Sequence, residues 1–88
     1  MKFELPISPQ HALVRTTAAP RLMGDSLSSL YDKASRGLTT KPLKVGARAS
    51  ALPLREIEAI NAARIRGASE DEIRALVNKL HAERAQAA

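Results

Sequence analysis

Catalysis by side chains needs particular residues at particular spacings, and this chain of 88 residues does not supply them. Its two histidines, His11 and His81, stand 70 positions apart. Neither belongs to a metal-ligand pair or to the His-Glu-x-x-His spacing of zinc hydrolases. Cysteine is absent, which excludes disulfides, thiolate metal sites and a thiol nucleophile. The acidic run Glu70-Asp71-Glu72 follows Ser69 directly. It therefore reads as the first turn of a helix, where carboxylates complement the dipole, and not as a general acid–base pair. The four glycines are dispersed, so no loop is built to cradle phosphate. The sequence predicts a non-enzyme with no catalytic residue, no metal site and no cofactor.

Charge is the stronger signal. The chain carries a net +5, and partitioning shows where that excess sits. Residues 1–14 hold Lys2 and Glu4 and cancel. Residues 15–55 hold eight basic side chains against two acidic ones, a local +6. Residues 56–88 hold five basic against six acidic, a local −1. Such localisation is the electrostatic footprint of a protein that meets a phosphate backbone. Phe3 and Tyr31 are the only aromatic residues, which argues against an aromatic platform for single strands and makes duplex DNA the expected partner.

The elements that must position this charge can be read along the chain. Residues 1–11, with Pro6 and Pro9 and alternating Phe3, Leu5 and Ile7, form an extended arm. Thr16 or Thr17 caps a short helix that begins Ala18-Ala19-Pro20 and turns Leu22 and Met23 inward. Gly24 ends it, and Asp25 or Ser26 caps a second helix with Leu27, Leu30 and Ala34 at helical spacing, until Gly37. Short helix, glycine turn and second helix make a helix-turn-helix. Residues 41–45 and 48–52 flank Gly46-Ala47 as a β-hairpin whose outward residues are Lys41, Lys44 and Arg48. Pro53 opens a third helix along Leu54, Ile57, Ile60 and Ala63 to Gly67. Ser69 and Glu72 form a capping box for a fourth, with Ile73, Leu76, Val77 and Leu80 on one face. The tail 82–88 is expected to fray, and His81 to be a surface residue suited to the helix C-terminus.

In a helix-turn-helix the second helix enters the major groove. The expected recognition residues are Ser26, Leu27, Ser28 and Ser29, followed by Tyr31, Asp32, Lys33 and Arg36. Leu27 and Tyr31 are the candidates for contact with thymine methyls or sugar. No Asn, Gln or Arg occupies the first two turns, so affinity should come mostly from phosphates. The hairpin serves as a wing: Lys41 and Lys44 hold phosphates, and Arg48, beside the Gly46 turn, reaches a narrow minor groove.

The run Met23-Gly24-Asp25-Ser26-Leu27-Ser28-Ser29-Leu30-Tyr31, then Gly37, then Lys41-Pro42-Leu43-Lys44-Val45-Gly46-Ala47-Arg48-Ala49 resembles the AlpA-type regulators. These are MerR-like winged-helix excisionases of prophages and integrative elements. Leu30-Tyr31 match the family's aliphatic-Tyr pair and Gly37 its post-helix glycine. Pro42, Lys44, Gly46 and Arg48 match its wing. The similarity covers roughly residues 13–66. Leu27 stands where the family often has Arg or Lys, and Leu52 where it usually has Trp. The resemblance implies a fold that is mainly α with a small β-hairpin: a winged helix-turn-helix with an extra C-terminal helix. It divides the chain into an arm 1–11, a DNA-binding domain 12–67, and a C-terminal helix and tail 68–88.

The function so implied is that of a recombination directionality factor. Several copies line up on attachment-site DNA, bend it, and direct a tyrosine integrase toward excision. Two other readings stand beside it: a transcriptional regulator of the element's genes, and a small interaction module or antitoxin-like partner. Self-association on DNA is expected through the arm 1–11 or the apolar faces of 54–84. The first ten residues lack a continuous apolar stretch and no run approaches a membrane span. The expected location is the cytoplasm, on the nucleoid, with no membrane partner.

Overall fold

The computed structural model describes residues 11–86. In chain order its elements are β1 (Leu13–Arg15), α1 (Ala19–Met23), α2 (Leu27–Ser35), β2 (Leu43–Gly46), β3 (Ala49–Pro53), α3 (Leu54–Ile65) and α4 (Glu70–Arg84). Among the described residues these make a small α-plus-β protein with four helices and one three-stranded antiparallel sheet, ordered β1-β3-β2. The arm expected over 1–11 lies outside the described residues except for His11.

The β2–β3 hairpin agrees with the sequence reading; the third strand does not appear there. In β1, Val14 lies opposite Leu52 and Arg15 opposite Ala51. Three residues with one half-buried apolar side chain give no alternation long enough to recognise. Thr16, expected as a helix cap, closes the strand instead. Its N–H donates to Ser50 O at 3.0 Å, and its hydroxyl pairs with Ser50 Oγ at 2.8 Å. The cap of α1 falls to Ala18, which makes no side-chain bond. At the hairpin tip Gly46 pairs with Ala49, so the turn is Ala47-Arg48, one residue later than expected.

The helix boundaries follow local chemistry. Gly24 takes φ 67°, the left-handed conformation that stops α1, and Asp25 N–H donates back to Pro20 O at 2.9 Å. Ser26 caps α2 by accepting from Ser29 N–H. Gly37, at φ 74°, lets Leu38 N–H reach Lys33 O at 2.8 Å. Pro53 ends β3 and is itself the cap of α3, so strand runs into helix with no linker. The Ser69–Glu72 capping box forms as read, with bonds of 2.8 and 3.2 Å.

Two apolar clusters make up the core. Ala19, Leu30, Leu52 and Ile57 join α1, α2, β3 and α3. Leu38, Ile60, Ala63, Ile73, Val77 and Leu80 join α3 to α4 and to the segment after α2. Met23 packs against both, and α3 spans them with Ile57 on one side and Ile60 and Ala63 on the other. Each buried Leu or Ile contributes about 1.5–3 kcal/mol. Leu22, expected inward beside Met23, is 49% exposed, and Leu27 is 40% exposed. Leu30, one turn on from Leu27, is fully buried, and half-buried Met23 packs where Leu22 does not.

Candidate nucleic-acid interface

The hairpin projects its cations. Lys41, Lys44 and Arg48 are exposed, and none of their side chains makes an ion pair among the described residues. Arg48 sits in the turn itself, because Gly46 pairs with Ala49 and leaves Ala47 and Arg48 unpaired at the tip. An open cleft runs between α2 and the hairpin, lined by Tyr31 on one wall and by Pro42, Lys44, Ala47, Arg48 and Ser50 on the other. Tyr31 is 49% exposed. An amphipathic ring thus faces two unneutralised cations across a gap open to solvent, which suits a polyanion with apolar edges.

Helix α2 treats its polar residues differently. Its outward stripe is Leu27, Ser28, Tyr31, Asp32 and Ser35, the exposed positions at helical spacing. Ser26 is engaged as the cap, and Ser28 Oγ lies 3.4 Å from its hydroxyl. Ser29 and Lys33, expected on the DNA face, turn toward Asp25. Ser29 Oγ donates to Asp25 at 3.0 Å, and Lys33 Nζ lies 2.9 Å from both carboxylate oxygens. Arg64 of α3 approaches to 4.0 Å and donates to Leu38 O at 2.9 Å. Arg36 bonds Asp32 at 3.1 Å and lies 3.7 Å from Glu70.

Asp25 is therefore a hub in which α1, α2 and α3 meet. Its side chain is 9% exposed. Burial by itself would raise its pKa. The hydrogen bonds from Lys33 and Ser29, with the charges of Lys33 and Arg64, outweigh burial and hold it below the ordinary value of 3.8. The sequence assigned Asp25 a possible capping role and gave no sign of this partnership, because Lys33 and Arg64 reach it only in the folded chain.

A second cluster was also illegible. Glu56 is 2% exposed and is held by Arg84, whose Nε and Nη2 donate to its two oxygens at 2.9 and 2.7 Å. Arg84 Nη2 also donates to Lys41 O at 2.7 Å, and Lys41 N–H donates to His81 Nε2 at 3.1 Å. The residues expected to fray, and a histidine expected on the surface, instead grip the segment that enters β2. Arg55 and Glu83 pair alongside. Glu56 is one of two acids in the stretch Leu54–Ile60, and nothing in the sequence marks it rather than Glu58 as the buried one.

Fold and surface define a small α-plus-β protein with a cationic hairpin set beside an exposed helix face. No family model, curated protein or solved structure matches the chain. Among the described residues, no helix is long and apolar enough to cross a membrane. No three His, Asp or Glu side chains among them are grouped to hold a metal ion.

Proposed function

We propose that this chain is a duplex-DNA-binding protein of the winged helix-turn-helix kind, acting without cofactor and without catalysis. In this reading α1, the Gly24 turn and α2 form the helix-turn-helix, and β2–β3 is the wing. The observation that carries it is the cleft where unpaired Lys44 and Arg48 face Tyr31 of α2. Phosphates are the ligands for those cations, and the outward stripe Leu27, Ser28, Tyr31 meets base edges with apolar and hydroxyl groups.

Its biological role in this reading is that of an excisionase, resembling the AlpA type, with a tyrosine integrase as protein partner and the nucleoid as its location. Few base-reading side chains suit a protein that multiplies weak contacts by arraying on DNA. Bending a site of a few tens of base pairs costs on the order of 1–6 kcal/mol, more easily met by several copies than by one. Duplex titration over a range of salt concentrations tests the binding step: log affinity should fall steeply and linearly with log salt. A flat salt response would sink the reading. Adding the protein to its cognate integrase on integrated DNA should raise excision and lower integration. If a promoter reporter responds without integrase while excision does not change, the role is transcriptional instead.

A further inference from the structure

Lys41 is the last residue before Pro42, and Pro42 leads directly into β2. Its main chain is held at two points by one helix. The N–H donates to His81 Nε2 at 3.1 Å, and the carbonyl accepts from Arg84 Nη2 at 2.7 Å. Two bonds on one residue fix its position and the direction it points. Pro42, with its fixed φ, passes that direction into the strand. Arg84 is in turn fixed by both oxygens of buried Glu56 on α3. Upstream, Leu38, Thr39 and Thr40 are buried, so the segment cannot relax from that side.

We infer that His81 and Arg84, braced by Glu56, are positioning residues that set how the β2–β3 hairpin stands beside α2. Its effect on affinity rests on the DNA-binding reading above; its geometry does not. On that reading, α4 controls whether Lys44, Arg48 and Tyr31 can meet one duplex together, although α4 contributes no residue to their cleft. The grip has a titratable member. A histidine nitrogen that accepts a hydrogen bond is unprotonated, so protonating Nε2 removes the bond to Lys41. The charged groups that face His81 are Arg84 on its own helix, Glu56 on α3 and Lys41 on the segment it holds. Burial, then Arg84, push its pKa below the ordinary 6.5, Glu56 opposes them, and Lys41 adds to the lowering.

The sign of the pH response separates this inference from simple charge. A histidine that gains a proton near DNA adds a cation and strengthens binding to phosphate. Here protonation should weaken binding, because it releases the foot of the hairpin. Affinity of the full chain for a fluorescein-labelled mixed-sequence duplex should drop about fivefold as His81 titrates, the effect of losing one ordinary hydrogen bond. His81→Gln retains an acceptor that cannot titrate and should bind well with a flat response from this site. His81→Phe should bind weakly at every pH while its circular dichroism stays that of the folded chain. Arg84→Lys, which keeps the charge but loses the fork, should resemble His81→Phe. Binding that strengthens on acidification in the parent but not in His81→Gln, or His81→Phe binding like the parent, overturns the inference.

If the parent binds no duplex at any pH, it is the DNA reading that fails. Amide NMR then tests the grip alone. The amides of Lys44–Ala49 should follow His81's titration in the parent and not in His81→Gln. Hairpin amides indifferent to His81 would overturn the inference in that case.

Discussion

Helix α2 with its cap residue Arg36 holds two cations, and the β2–β3 hairpin with Lys41 holds three, yet the two regions use them in opposite ways. Lys33 is bound to Asp25 and Arg36 to Asp32, whereas Lys41, Lys44 and Arg48 extend into solvent with no acidic partner among the described residues. The local +6 of the middle segment is therefore not spread evenly over one surface. Lys33, Arg36 and Arg55 pair with acids, while Lys41, Lys44 and Arg48 at the hairpin, with Arg15 and Arg21 outside it, have no ion pair among the described residues. An unpaired surface cation adds little to stability and costs little to release toward phosphate. A paired one must first give up its carboxylate.

Asp25→Ala should produce the largest change, and it should be a change in stability. It strips Lys33 and Ser29 of their acceptor at the junction of α1, α2 and α3, at a cost of about 2–3 kcal/mol in urea unfolding. For the fraction that remains folded, the slope of log affinity against log salt should match the parent. A slope lower by about one in Lys33→Ala would mean that Lys33 reaches phosphate after all, and the contrast between the regions would break.

The converse experiment is Lys44→Ala with Arg48→Ala. Folding free energy should stay within about 0.5 kcal/mol of the parent, since both side chains are exposed and make no ion pair among the described residues. The salt slope should fall by about two, with affinity lost at every salt concentration. A destabilised double variant would show that the hairpin's cations also serve the fold.

Acid titration of stability should separate two steps. Both groups have folded pKa values below their unfolded ones, so in each window the unfolded chain takes up a proton that the folded chain refuses. Stability must then fall as pH falls. His81 gives the upper step, with its contribution complete above 6.5 and lost as pH drops below that value toward its lowered folded pKa. Asp25 gives the lower step, complete above 3.8 and lost below it. Glu72, fully exposed and lowered by hydrogen bonds from Ser69, adds to the lower step starting from 4.5. Urea unfolding across pH should lose the upper step in His81→Gln and most of the lower one in Asp25→Asn.

What was legible in the sequence follows a physical division. Gly24, Gly37, Ser26 and the Ser69–Glu72 box act within one turn of their own position, and the structure shows each of them acting there. Ile57, Ile60, Ala63, Ile73, Val77 and Leu80 repeat at helical spacing and are all buried. Contacts formed across the fold left no such trace. Nothing local to Thr16 indicates Ser50, and nothing local to Lys33 distinguishes a phosphate from Asp25. Arg84 ends a helix that composition said would fray, because its partners Glu56 and Lys41 are 28 and 43 positions away. At the candidate interface the residue types were readable, but their engagement was not.

Arg36 is the smallest and sharpest test of the contrast, because it belongs to α2 yet is exposed. Its bonds to Asp32 and its approach to Glu70 involve three side chains that are each about half exposed or more. Such pairs contribute about 0–0.5 kcal/mol each, so Arg36→Ala should leave stability almost unchanged. Its effect on DNA binding then depends only on whether the pairing survives contact with phosphate. The carboxylate of Asp32 lies on the same outward stripe as Leu27, Ser28 and Tyr31, so in the proposed DNA-binding role Arg36 neutralises an acid that would repel the duplex. On that account Arg36→Ala weakens binding modestly, and Asp32→Asn combined with Arg36→Ala restores it. The salt slope of the double variant should equal that of the parent, since no phosphate contact has been removed. A slope lower by about one would instead show Arg36 leaving its carboxylates for phosphate, and α2 would then share the hairpin's role.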